Sequence, residues 1–252
     1  MSPVVVASDD DVKFLSARIS DMRKVLILTG AGVSRASGLP TYRGEGGIYQ
    51  DTHIDELHHA DRLPDSLPEL WAFWGPRRQT IADARPNTAH DAIAAFQLTS
   101  TLEDRDVTLA TQNIDDLHER AGSAQVAHLH GRLMTTRCLD RTCAYGTRED
   151  LTPYDAPPRC PVCGLPLRPA VVLFGEPLDV DAEWTAKRAV RDCDLLLAVG
   201  TSVDVSTAST LVRYAVDVGA RVVSVDPAPE VSPLFDVHVQ MPAEIALPRL
   251  LR

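Results

Sequence analysis

Four of the five cysteines, Cys138, Cys143, Cys160 and Cys163, lie close together as a Cys-x4-Cys pair and a Cys-x2-Cys pair. Each pair can form one knuckle. Two converging knuckles place four thiolates around one tetrahedral ion, a closed structural zinc site with no open position for catalysis. The alternative is four buried free thiols. Cys193 stands apart between Asp192 and Asp194; flanking acids raise a thiol pKa and work against nucleophilicity, so it reads as core. A second cluster, Thr111-Gln112-Asn113-Ile114-Asp115-Asp116, follows the apolar run Val107–Ala110. Polar residues at the carboxyl end of a parallel strand are where such sheets bind ligands, and Asn and Asp can bond an amide or ribose hydroxyls. The competing reading is an N-capped helix start. His128-Leu129-His130-Gly131 comes next; in an extended segment His128 and His130 share one side. A histidine titrates near neutrality and makes a natural general base, although a structural role is the plainer reading. Finally, Gly30-Ala31-Gly32-Val33-Ser34 follows the strand-like Lys24–Leu28. Glycines there let backbone approach a pyrophosphate, and a helix start favours negative charge. The third fingerprint glycine is replaced by Arg35 and no clear acidic residue follows a second strand, which weakens a dehydrogenase more than nucleotide binding in general. A tight turn is the alternative. Gly-x-Ser-x-Gly and His-Glu-x-x-His are both absent, so neither a hydrolase triad nor a catalytic zinc is supported.

These groups need a scaffold to hold them together. Lys24–Leu28, Val107–Ala110, Ala170–Phe174, Asp194–Val199 and Arg221–Val225 read as buried strands. Ser8–Met22, Thr88–Phe96, Ile114–Ala121, Ala182–Arg191 and Ser206–Val218 read as helices. Strands alternating with helices predict an α/β fold: a Rossmann-like, doubly wound parallel sheet. Arg132–Leu167 breaks the rhythm, is polar and carries the four cysteines, so it reads as a small inserted zinc module. The expected division is 1–131 with 168–252 as the large domain and 132–167 as the insert. The segment 44–70 is expected to join the insert as a lid with short helices.

The 252 residues are 44% hydrophobic and 24% charged, with a net charge of −10. That is globular composition, and the acidic balance argues against direct nucleic-acid or anionic-membrane binding. No apolar run is long enough to cross a bilayer, and the first residues lack the basic region of a secretory signal, so a cytoplasmic protein is expected. Composition leaves the oligomeric state open.

Together the pieces resemble the sirtuin family of NAD-dependent protein lysine deacylases, from about Lys24 to Leu251. The resemblance is carried by Gly30-Ala31-Gly32-Val33-Ser34, Gly38-Leu39-Pro40-Thr41-Tyr42-Arg43-Gly44, Thr111-Gln112-Asn113-Ile114-Asp115, His130-Gly131, the four cysteines, Phe174-Gly175-Glu176 and Gly200-Thr201-Ser202. Asp115–Gly122 and His128–Gly131 look most like the bacterial class III branch, which removes acidic acyl groups such as succinyl. The resemblance implies NAD as co-substrate and one structural zinc. It implies NAD contacts from Gly30, Ala31, Gly32, Ser34, Tyr42, Arg43, Gln112, Asn113, Asp115, Gly200, Thr201, Ser202, Asp226 and Ala243. His130 is the implied general base, with Asn113 and Asp115 on the nicotinamide side. The products are nicotinamide, free lysine and 2′-O-acyl-ADP-ribose. The acyl-lysine protein is expected to add as a strand between Phe174-Gly175-Glu176 and Val203-Asp204-Val205, touching Val172 as well.

The chain departs from the family pattern at Tyr42 (usually Phe), His128 (usually acidic), Leu173 (usually aromatic), Asp226 (usually Asn) and Thr207 (usually Pro). In the class III pattern a Tyr stands three residues before an Arg in the acyl pocket; the match here is Trp74 with Arg77, and His58 falls where that class has a small Ala. Arg77 can pair bidentately with an acyl carboxylate, whereas indole offers only an N–H; the alternative is a solvated helix arginine. The acyl group stays open between succinyl or malonyl and acetyl. The rival functions are an NADase or ADP-ribosyltransferase on the same fold, a non-catalytic NAD-sensing module, and a dehydrogenase.

Overall fold

The computed structural model describes residues 4–6, 8–42, 47–48, 56–201, 206–229 and 231–252. The expected contacts at Arg43, Ser202 and Val203, and much of the expected lid before residue 56, lie outside the described residues.

Seven strands form one parallel sheet: β1 (Val4–Val6), β2 (Lys24–Thr29), β3 (Asp106–Thr111), β4 (Val126–His128), β8 (Leu195–Val199), β9 (Arg221–Val225) and β10 (Val237–Val239). Their order is β1-β10-β9-β8-β2-β3-β4. From β2 the chain winds outward through β3 and β4, and from β8 it winds the other way through β9 and β10. The order therefore reverses between β2 and β8, the switch point where open α/β sheets bind ligands.

Register then decides what meets there. Thr29 pairs with both Thr111 and Val199, Thr111 with His128, Val199 with Val225, and Val225 with Val239. The strand ends are level, so the residues that follow them, Gly30, Gln112, Leu129, Gly200 and Asp226, emerge along one edge.

Both faces are covered. Val25 and Ile27 of β2 face a core with the helices Asp9–Ser20, Thr88–Leu102 and Ala243–Leu250. Leu26 and Leu28 face a second core with Val180–Val190 and Ser206–Asp217. The first helix starts where its cap sits: the Ser8 side chain accepts from the Asp11 amide, and Asp9, Asp10 and Asp11 fill the first turn. Strands buried on both faces read as continuous apolar runs, which is why β2 and β8 stand out in the sequence.

Three strands form a separate antiparallel sheet ordered β6-β5-β7: β5 (Gly131–Cys138), β6 (Thr147–Glu149) and β7 (Leu167–Val171). Here the structure corrects one expected strand. Ala170–Phe174 does not join the parallel sheet; the ladder runs over Leu167–Val171 against β5. A short apolar run shows that a strand is buried but not which sheet takes it. The expected helix Ile114–Ala121 shrinks to Leu117–Arg120. Its first residues are committed elsewhere, since the Ile114 carbonyl accepts from the Leu133 amide at 2.8 Å. A helix missing from the expectation, Leu67–Asp83, packs on the small sheet. Trp71 donates to the Leu167 carbonyl at 2.9 Å, and the buried Arg78 donates to the Leu133 carbonyl at 2.7 Å.

Candidate active site

The Gly-rich turn lies against the turn after β8. The Gly30 amide donates to the Val199 carbonyl at 3.0 Å and the Gly32 amide to the Gly200 carbonyl at 2.9 Å. A Cβ on Gly32 would sit 2.6 Å from the Gly200 Cα, and Gly200 has φ +58°. These glycines therefore let the two turns that flank the switch point touch, a packing demand that stands beside any approach to a pyrophosphate. After Gly30 the chain enters a 3-10 helix, Ala31–Ser37. Its first amides have no intrahelical acceptor.

Ser34, buried in that helix, is the hub of the site. Its hydroxyl donates to Asp115 Oδ2 at 3.0 Å and accepts from Asn113 Nδ2 at 3.3 Å. Behind it stands His90, whose Nε2 is 3.5 Å away. The His90 Nδ1 accepts from the Asn87 amide at 3.2 Å, which puts the ring proton on Nε2 and makes Ser34 the acceptor. Burial, with the nearby Arg120 charge, pushes His90 down to about 4, so it is neutral. His118 is also buried and held well below its ordinary value, chiefly by burial; its Nε2 meets Thr29 Oγ1 at 3.0 Å. The sequence reading gave neither histidine a role. For His90 a signal exists: Asn87-x-x-His90 is a capping box, with Asn87 Oδ1 accepting from the Ala89 amide.

Asn113 and Asp115 come together as expected. Asn113 Nδ2 also donates to the Gly30 carbonyl at 3.1 Å, and its buried Oδ1 has no partner among the described residues. Asp115 is 6% exposed. Burial raises its pKa, against the Leu117 amide and the Ser34 hydroxyl, which favour the carboxylate. Gln112 donates to Thr201 Oγ1 at 2.6 Å and so bridges the two turns.

His128 ends β4 and His130 lies in the turn that follows, with Leu129 buried between them. Their Nδ1 atoms bond successive carbonyls: His130 that of Gln112 at 3.0 Å, His128 that of Asn113 at 3.2 Å. The carbonyl fixes the His130 proton on Nδ1 and leaves Nε2 as the acceptor nitrogen, with no hydrogen bond among the described residues. Burial lowers the His130 pKa, partly offset by the Gln112 bond, so the ring is neutral at physiological pH. Gly131 must follow: it has φ +75°, and a Cβ there would lie 2.0 Å from the Ala170 carbonyl oxygen.

The other expected contacts are spread around this centre. Tyr42 is half-buried against the cluster that contains Leu39 and Ile114. Asp226 follows β9 and its Oδ1 accepts from the Ala228 amide at 2.9 Å. Ala243 is buried at the start of the last helix. The Val172 amide donates to the His130 carbonyl at 2.9 Å, placing this segment beside His130. Phe174 and Gly175 are exposed. The Glu176 carboxylate accepts from the buried Arg168, from Arg137 at 2.7 Å and from the Leu173 amide at 2.9 Å. That pattern clamps the Leu173–Glu176 turn to the small sheet. Trp74 is buried and its Nε1 has no partner among the described residues. His58 lies edge-on to Phe73 and Trp74, and the Arg77 guanidinium lies 3.7 Å from the Phe73 ring centroid.

The four cysteine sulfurs lie within 4.8 Å of one another, with Cys138–Cys163 at 3.4 Å and Cys143–Cys160 at 3.7 Å. Tetrahedral Zn–S bonds of about 2.3 Å separate the sulfurs by roughly 3.8 Å, so the cluster fits one zinc. The Cys160 amide donates to the Leu165 carbonyl at 2.7 Å, and the Gly164 amide to the Cys160 carbonyl at 2.9 Å, which forms one knuckle. Cys138 ends the strand that Gly131 begins, roughly 20 Å away at strand rise. The metal position is structural and remote from His130.

The residues at the switch point fit a dinucleotide: two touching turns, a 3-10 helix start, and a buried amide oxygen with no partner among the described residues. Comparison with known proteins agrees. The Sir2 family profile matches residues 30–207. The NAD-dependent protein deacylase of Ralstonia nicotianae is 40% identical over 239 residues, covering 93% of this chain and 94% of the relative. NAD-dependent protein deacylase 1 of Pseudomonas aeruginosa is 41% identical over 246 residues, covering 93% and 95%. The crystal structure of a Sir2 homolog–NAD complex superposes with a TM-score of 0.86 at 32% identity, covering 100% of this chain and 95% of that one. A mutant Sir2 homologue–2′-O-acetyl ADP ribose complex gives 0.84 at 31%, covering 97% and 95%. The chain belongs to the Sir2 family.

Proposed function

We propose that the protein removes acyl groups from lysine side chains of proteins with NAD as co-substrate, giving nicotinamide and 2′-O-acyl-ADP-ribose. One observation carries this reading: His130 is a neutral histidine with its proton fixed on Nδ1 and its Nε2 open, beside an Asn113–Asp115 pair at the switch point. NAD supplies an electrophilic ribose carbon and a good leaving group. Gly30, Ala31, Gly32, Gly200 and Thr201 hold its diphosphate side, with Asp226 and Ala243 toward the adenosine. Ser34, Asn113 and Asp115 hold the nicotinamide side, with Gln112 and Tyr42 on ribose. His130 Nε2 takes a proton from a hydroxyl presented to it. The acyl-lysine segment adds beside Val172 and Phe174-Gly175, held through main-chain bonds. This reading divides the chain into a parallel-sheet domain and a zinc-bearing lobe, 132–167, with the cleft between them. The five cysteines form no disulfide among the described residues, which suits a reducing compartment and is consistent with the cytoplasm.

For the acyl group, we read the pocket as favouring an acidic one, succinyl or malonyl. Trp74 offers a buried indole N–H without a partner among the described residues, three residues before Arg77. A buried donor costs about 1–3 kcal/mol when unmet, and a carboxylate oxygen would meet it. The test is mass spectrometry of acetyl-, succinyl- and unmodified lysine peptides incubated with NAD. Succinyl loss should exceed acetyl loss. Preferential acetyl loss would refute the pocket assignment, and nicotinamide release with no acyl loss would make the protein an NAD-consuming enzyme of another kind.

A further inference from the structure

We infer that His128 and Glu119 form a charged clamp that positions the nicotinamide-side loop, which makes His128 a positioning residue for NAD binding; the inference rests on the function proposed above. The two histidines begin alike, each bonding one carbonyl through Nδ1, and differ at the other nitrogen. His130 Nε2 is open, whereas His128 Nε2 lies 2.6 Å from Glu119 Oε1. A backbone carbonyl and a carboxylate both accept and neither donates, so His128 bonds both only as the imidazolium. The pair is largely out of water, with side-chain exposures of 10% and 33%. Burial pushes the Glu119 carboxyl up, but the bond and charge of His128 outweigh it, and the group is held below its ordinary value.

The acceptor at the other end of the imidazolium is the Asn113 carbonyl, so the clamp acts on the peptide plane between Asn113 and Ile114. The flanking groups are already tied: the Asn113 amide donates to Thr111 Oγ1 at 3.0 Å, and the Ile114 carbonyl accepts from Leu133. The His128 bond adds to these ties on a loop whose side chains are Asn113, with its open amide oxygen, and Asp115. The imidazolium charge also favours the ionised form of Asp115, against its burial. The other charged or titratable groups near the pair are the neutral His118 and Arg132. The clamp touches neither His130 Nε2 nor the Val172–Gly175 segment, so its loss should weaken NAD binding and spare later steps.

The test compares the full-length wild type with Glu119→Gln, His128→Gln and the double variant. NAD affinity is measured by calorimetry, and KM for NAD, KM for acyl-peptide, kcat and melting temperature are measured alongside. Each single variant should weaken NAD binding and raise KM for NAD about ten-fold, the scale of one charge-assisted bond. The kcat at saturating NAD and the peptide KM should stay within about two-fold, and the double variant should be no worse than the worse single. NAD affinity unchanged in both single variants would overturn the clamp, as would parallel losses in kcat, peptide KM and melting temperature, the mark of general loosening. A wild type that binds no NAD would overturn the functional reading and the clamp with it, whereas NAD binding insensitive to both substitutions would overturn the clamp alone.

Discussion

Asp115→Asn should make the protein more stable at neutral pH while it disables the enzyme. The Asp115 carboxyl is 6% exposed and has two donors, the Ser34 hydroxyl and the Leu117 amide. Each such bond to a charge returns about 1.5–3 kcal/mol. Taking a carboxylate out of water costs several kcal/mol. The raised pKa says which side wins: desolvation exceeds the two bonds and the attraction of His128. Because the folded pKa lies above the unfolded one, both states hold the proton at low pH and nothing is lost there. Between the two values the folded protein keeps a proton that the unfolded chain has released, so stability falls as pH rises. Above the folded value the whole penalty is present.

An asparagine keeps the Leu117 bond through its oxygen and carries no charge. Its NH2 faces Ser34, which already accepts from Asn113, so part of the gain is lost to a poorer bond there. A net gain of about 1 kcal/mol raises the melting temperature of a chain this size by roughly 2–4 °C. Calorimetry at pH 7.5 and at pH 4 measures it, and the advantage should shrink at the lower pH, where the wild-type carboxyl takes up its own proton. Deacylation should fall at least 100-fold, the range for losing an oriented polar group at a reacting centre. A lower melting temperature for the variant at pH 7.5 would refute the reasoning, because the buried charge would then be a net stabiliser.

Two further outcomes follow from the same geometry. His130→Ala should reduce deacylation about 10²–10⁴-fold, the usual contribution of a general base, with NAD affinity within a few-fold by calorimetry. In the wild type the rate should rise with pH through a value below the ordinary histidine range and then stay flat, because burial holds His130 low and only the neutral ring accepts a proton; a variant with near-full activity would remove His130 from the mechanism. Chelating zinc should release hydrogen-exchange protection across Gly131–Val171 while β2, β3 and β8 keep theirs, since the thiols tie the small sheet and lie far from the switch point; a metal-free protein that stays folded and only stops turning over would contradict a structural role.

The strands of the parallel sheet were legible because they are buried on both faces and read as unbroken apolar runs. Short elements were not. β1, β4 and β10 have three residues each, too few to show a period. The helix Leu67–Asp83 was missed for a different reason: it buries Trp71, Trp74 and Arg78 together, so its inner face mixes apolar and charged residues and blurs the amphipathic pattern. Chemical types were legible where a motif names them, as with the four cysteines, Asn113, Asp115 and His130. Glu176 shows the limit: nothing in Phe174-Gly175-Glu176 tells that its carboxylate is bound by Arg168 and Arg137, one on β7 and one on β5. Only pairing of those two strands brings the arginines together, and that pairing is a tertiary fact.

The two histidines make the same point more sharply. Alternation predicts that His128 and His130 face one way if the segment is extended; β4 ends at His128, and both rings still reach the Gln112–Asn113 segment through Nδ1. Alternation says nothing of the second ring nitrogen, which decides the chemistry. For His130 that nitrogen is open, so the ring is neutral and can accept a proton. For His128 it meets Glu119, so both ring nitrogens are committed to oxygen partners. Glu119 lies on the short helix Leu117–Arg120, which begins only after Asn113–Asp116 have been held out of helical conformation by Thr111, Leu133 and Ser34. Had the helix begun at Ile114, as the sequence pattern suggests, Glu119 would have a different height and rotation, and His128 would have no carboxylate. The irregular loop therefore also sets which of the two histidines keeps an open Nε2, and a change that restores regular helix at Ile114 should disturb the proposed ligand site and the proposed base at once.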